Sequence, residues 1–126
     1  MNVLSWLFGK RQPYNTEEIL NDGLELSLAF GKNWLQPIQG RLKRYYPALS
    51  NQELDYYNEI CQNARRTGHV KMCDVAGKSA QLMSLGEFTN FLKQEYPWAS
   101  AKVIKAVYNQ GLYYVYKDYG NLSKNT

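Results

Sequence analysis

The chain has 126 residues, 15 Lys or Arg against 11 Asp or Glu, and two cysteines. That length suffices for one self-supporting domain, expected to cover 1–126, with no need of a disulfide or metal staple. Two cysteines far apart make neither a disulfide framework nor a zinc site, so a reducing, cytoplasmic setting is expected, and no stretch nears the ~18 apolar residues of a membrane span.

Residues 1–13 open with Met1-Asn2-Val3-Leu4-Ser5-Trp6-Leu7-Phe8, followed by Gly9-Lys10-Arg11. A secretory signal carries its bases before the apolar stretch, and here they come after it. As a short helix the segment would put Val3, Leu4, Leu7 and Phe8 on one face. It then either docks on the core or lies on a membrane or partner, with Trp6 at the interface.

Helix starts come next. Asn15 with Glu18, Ser50 with Glu53, and Ser84 with Glu87 each place a capping residue three positions before an acid, with apolar residues set to staple the turn. The cap satisfies one free backbone N–H and the acid reaches back to another. The first helix is expected from Thr16 to Phe30, with Ile19, Gly23, Leu26 and Phe30 in one stripe. Leu24 to Phe30 also alternates like a strand, but it lacks β-branched residues and favours helix. Gly31-Lys32-Asn33 breaks the chain. The second helix is expected from Pro37 to Tyr46, burying Leu35, Ile38, Leu42 and Tyr45. The third is expected from Ser50 to Arg66, with Gly68 taking the left-handed terminal position. Residues 67–83 then read as a long irregular connection. A fourth helix from Leu85 to Tyr96 and a fifth from Ser100 to Lys117 follow, with a frayed tail at 120–126. Gly111 inside the fifth predicts a close helix crossing.

One phrase occurs twice. Leu42, Lys43, Tyr46, Pro47 and Ser50 recur as Leu92, Lys93, Tyr96, Pro97 and Ser100, at an offset of 50 residues. Proline disfavours helix at the tyrosine before it, so each copy reads as a corner between helices. The pairs 35–66 and 85–117 are expected to be alike, one unit used twice. The fold class that follows is all-α, a single-domain bundle of about five helices containing two similar proline-cornered pairs.

Chemical motifs are incomplete. Ala76-Gly77-Lys78-Ser79 matches the end of a phosphate-binding loop, but Met72 stands where the pattern needs a glycine. One histidine and two separated cysteines fall short of a zinc set, and no Glu-x-x-His occurs. No cofactor or metal is therefore expected. His69 and Cys73, four residues apart with Asp74 adjacent, are the one conceivable nucleophilic pair.

Two surfaces are expected instead. Charge alternates in blocks along the chain, with Arg41, Lys43 and Arg44 at the expected end of helix two and Arg65, Arg66 and Lys71 near that of helix three. Dipole complementarity explains bases there, and an anion or nucleic acid is the competing reading. The chain also holds eleven tyrosines. Tyr108, Tyr113, Tyr114 and Tyr116 crowd the fifth helix and cannot all face inward, and with Trp98 they form the candidate partner surface. The leading expectation is a non-catalytic protein-binding module of adaptor, regulator or toxin-inhibitor type. Nucleic-acid binding comes second, and an enzyme using His69 and Cys73 third.

Overall fold

The computed structural model describes residues 14–124; the readings of 1–13 and of the last two residues lie outside it. Among the described residues five α-helices account for nearly all regular structure. Helix α1 spans Thr16–Ser27, α2 Gln39–Tyr45, α3 Asn51–Ser79, α4 Leu85–Glu95 and α5 Ala101–Tyr119. Between α1 and α2 lies a short 3-10 turn, Gly31–Asn33. Strand β1, Gln81–Leu82, pairs in parallel with β2, Ser123–Lys124. The all-α expectation holds.

The caps act where the sequence places them. The Asn15 side chain accepts from Glu18 N at 3.1 Å. Ser50 and Glu53 close a reciprocal capping box at 3.1 and 2.9 Å. Ser84 accepts from Glu87 N, and Ser100 from Val103 N. Each of these bonds satisfies a donor that the first helical turn leaves free, and each is worth about 1 kcal/mol.

The ends are less local, and four expectations are corrected. Helix α1 stops at Ser27 because its last turn tightens, Leu28 N bonding Glu25 O and Ala29 N bonding Leu26 O. Phe30 is therefore extended and exposed rather than part of the buried stripe. Helix α2 starts at Gln39, leaving Leu35 in a left-handed conformation (φ 59°) and exposed, with Tyr45 also exposed. Helix α3 does not end at Arg66. It runs 29 residues, through Gly68, and closes at Ala80 in the left-handed region. The irregular connection over 67–83 is thus mostly helix. The tail is tied down further than expected, with Leu122 packed on the core and Ser123–Lys124 paired to β1.

Gly68 continues the helix because its missing side chain lets neighbours in. A Cβ there would sit 2.8 Å from Val107 Cγ1 and 2.9 Å from Phe88 Cζ. Packing outweighs the ~1 kcal/mol that glycine costs inside a helix. Gly111 on α5 does the reciprocal service, lying hard against Met72 of α3. The α3–α5 crossing is therefore built on a glycine from each side, one of which the sequence placed correctly.

Helix α3 is the axis, touching α1, α2, α4 and α5. Buried side chains from all five helices meet in one cluster, including Ile19, Leu42, Tyr57, Cys61, Phe88 and Val107. The Cys61 thiol lies against Gly23 and donates to Leu20 O at 3.4 Å. Burial pushes its pKa up well beyond the usual thiol range, so it is an inert filler.

Candidate functional site

The segment between α1 and α2 meets the C-terminal half of α5 in a chain of rings. Phe30 packs edge-on against Tyr113 at 5.8 Å, and Tyr113 against Tyr114 at 5.5 Å. Trp34 stacks on Tyr114 at 6.3 Å and donates its indole N–H to the Tyr114 hydroxyl at 2.6 Å. Tyr114 in turn covers the His69 ring at 4.9 Å. Phe30 is 56% exposed, Leu35 47% and Tyr113 47%. Isolated exposed apolar residues need no explanation, but a contiguous group of this kind marks an interaction surface.

Local sequence causes this exposure. Gly31 adopts φ 76° and Leu35 φ 59°, so the segment folds back on itself instead of extending α1. A leucine held there carries strain of about 1 kcal/mol or more, which its surroundings must hold in place. Gln110 of α5 supplies part of that hold by donating to Leu28 O at 2.7 Å.

Grooves flank the rings on both sides. One, of about 580 Å³, is lined by Leu28, Phe30, Asn109, Gln110 and Tyr113. The other, of about 270 Å³, is lined by Leu35, Arg65, His69, Val70, Cys73, Tyr114 and Asp118. One lining residue of each has a buried polar atom without a hydrogen-bond partner among the described residues, Gln110 Oε1 and His69 Nε2. Such atoms are rare in folded proteins.

His69 and Cys73 do share a groove, as neighbours one turn apart on α3, but no hydrogen bond joins them among the described residues. Their electrostatics oppose catalysis. Burial, and then the Arg65 charge, pull His69 down to about 4, with its bond to the Val107 backbone acting the other way. Burial and then Asp118 push the Cys73 thiol up. A nucleophilic pair needs the thiolate favoured, and here both groups are held neutral.

The remaining candidates scatter. Tyr108 is corrected from surface to core: it is 4% exposed, and its hydroxyl donates to Met83 O at 2.6 Å. Tyr116 is 59% exposed, without a ring neighbour among the described residues. Trp98 packs on Tyr96 at 5.9 Å in the second corner, away from the α5 rings. Arg41 spends its guanidinium on the carbonyl of Leu26, and Lys43 spends its ammonium on those of Pro47 and Leu49. Arg44 is exposed on α2. Arg65 donates to Gln62 and Arg66 to Asn63. Burial, and then Arg66, lower the Arg65 pKa. Lys71 lies 5.0 Å above the Phe91 ring and, with Arg66, lines a separate groove between α3 and α4.

Phe30, Trp34, Leu35 and Gln110 are the site residues that sequence reasoning missed. One signal was available: three large apolar residues flank the Gly31-Lys32-Asn33 break, where a connection is normally polar. Among the described residues no cluster of His, Cys, Asp and Glu has metal-binding geometry, and no helix is long and apolar enough to cross a membrane. Comparison of the chain with protein families, curated proteins and solved structures finds no match.

Proposed function

We propose that this protein is a non-catalytic, cytoplasmic binding module that engages another protein through the ring face of Phe30, Trp34, Leu35, Tyr113 and Tyr114. The observation that carries the reading is the continuity of those rings at the surface, while among the described residues the other large aromatics mostly serve the core. Tyrosine and tryptophan supply much contact area at little entropic cost, which is why they dominate interface energetics. The free thiols Cys61 and Cys73 support the reducing compartment. The engaged donors of Arg41 and Lys43 favour a protein over a nucleic acid. The same reading takes the two cornered pairs as one unit used twice, supported by their matching corner dihedrals.

The test is a pair of variants, Phe30→Ser with Tyr113→Ser. Both side chains are about half exposed, so unfolding by urea shifts little. Proteins captured by the wild type and identified by mass spectrometry are expected to be lost with the double variant. Retention of the same set by a folded double variant overturns the proposal.

A further inference from the structure

The length of α3 changes the meaning of its charges. Had the helix ended at Arg66, its bases would complement the negative end of the dipole. The helix ends at Ser79, so Arg66 and Lys71 stand well inside it. Dipole stabilisation falls off within the last turn and does not reach them. Among the described residues neither meets a carboxylate within ion-pair distance; the ion pair on this part of the helix is Lys78 with Asp74, at 3.2 Å.

The two cations belong to two adjacent ridges. Asn63, Thr67 and Lys71 follow one another at every fourth position, as do Arg66, Val70 and Asp74, and both rows line one groove of about 480 Å³ closed by Phe91 and Tyr96. That volume falls within the range of small-molecule sites. The groove has an apolar floor, since Val70 is 62% exposed and Phe91 is partly buried beneath Lys71. The Tyr96 and Thr67 hydroxyls bond each other at 3.1 Å and set the ring of Tyr96 at its edge. Arg66 gives one nitrogen to Asn63 Oδ1 at 2.7 Å, which fixes the guanidinium and leaves its remaining N–H groups available.

We infer that this groove binds a small anion carried on an apolar ring, an aromatic phosphate or carboxylate. The ring lies on Val70 and against the edge of Phe91, whose face Lys71 covers. The anion sits between Arg66 and Lys71; Asp74 also lines the groove, but its pairing with Lys78 leaves the four groups net positive. Flat apolar surface alone would accept any hydrophobe, and two exposed cations alone would accept any anion; their juxtaposition selects a molecule with both. Val70 borders both this groove and the one beside Tyr114, but Arg66, Lys71 and Phe91 line this groove and not that one, so the site does not depend on Phe30 or Tyr113.

Phenyl phosphate is the probe, read by amide NMR shifts on the whole chain. Saturable shifts at Thr67, Val70, Lys71 and Phe91 are expected, weakening as salt is raised. Arg66→Gln with Lys71→Gln, both changes toward solvent, is expected to weaken binding about tenfold or more. Phe91→Leu and inorganic phosphate probe the ring, and each is expected to bind at least several-fold more weakly. Phe30→Ser with Tyr113→Ser is expected to leave binding unchanged. A phosphotyrosyl peptide that binds more tightly than phenyl phosphate assigns the anion to a partner's side chain; equal or weaker binding assigns it to a free small molecule. No shift at millimolar probe, equal binding by the Arg66/Lys71 variant, or equal binding of inorganic phosphate overturns the proposal.

Discussion

The two proline corners have the same backbone and different anchors. Tyr46 closes α2 at φ −132°, ψ 70°, and Tyr96 closes α4 at φ −133°, ψ 78°. In each, the tyrosine N–H bonds the leucine four residues back, its carbonyl accepts from the residue three ahead, and a serine caps the next helix. The tertiary hold differs. Tyr46 is buried and donates its hydroxyl to Asp22 at 2.5 Å, with Tyr14 packed edge-on at 4.9 Å. Burial and that carboxylate raise the Tyr46 pKa. The second corner is held through its backbone: Asn21 donates to Trp98 O at 2.9 Å and accepts from Ser100 N at 2.8 Å. Neighbouring residues of α1 thus pin both corners, one by a side chain and one by a main chain. The two tyrosines share dihedrals and backbone bonds, while the place of each against the rest of the chain decides how it is secured.

The comparison breaks first at the crossing beyond the corners, where the second helices meet. Gly68→Val should cost about 3 kcal/mol, because the new side chain would overlap Val107 and Phe88. Urea unfolding would show this as a lower midpoint at unchanged slope. A loss under 1 kcal/mol would mean that α3 and α5 can separate freely.

Acid should act at the same crossing before it acts on the corners. His69 is neutral when folded, with a pKa near 4 against about 6.5 unfolded, so the unfolded chain binds the extra proton as pH falls. Stability contributed by this group is complete above pH 6.5 and is lost on descending toward 4. Between pH 7 and 5 the loss should be about 2 kcal/mol. The difference between wild type and His69→Gln, followed through that range, isolates it; parallel curves would refute the assignment.

The corners themselves are separated by smaller changes. Asn21→Ala leaves Trp98 O and Ser100 N without their side-chain partner and should cost about 2 kcal/mol. Tyr46→Phe should cost about 1 kcal/mol, since Asp22 is exposed and water can take the lost bond. Tyr96→Phe should cost a few tenths of that unit, because its Thr67 partner is only half buried. Equal costs at the two tyrosines would show the corners to be equivalent after all.

Legibility followed range. Asn15, Ser50 and Ser84 were read correctly as caps because a cap concerns a residue and the one three ahead. Helices α2 and α4 stop before Pro47 and Pro97, each of which restricts its immediate neighbour. Gly68 was misread because its local preference is real and small, while the contacts that override it come from residues 20 and 39 positions away. Among the site residues, Tyr113 and Tyr114 were visible as surplus aromatics on α5. Their partners Phe30 and Trp34 were not, because an early helix end at Ser27 is what brings them round. Tyr108 looked like its neighbours and differs only in having Phe88 and Met83 against it.

By itself, the sequence determined that the chain is helical and where four of its five described helices begin. Those choices rest on hydrogen bonds and steric limits within one turn of backbone. Tertiary structure alone decided how far α3 extends, which tyrosines meet solvent and which bases share a groove. Each of those outcomes is a competition between a local preference of about 1 kcal/mol and the packing of residues far apart in the chain, and packing is the larger quantity.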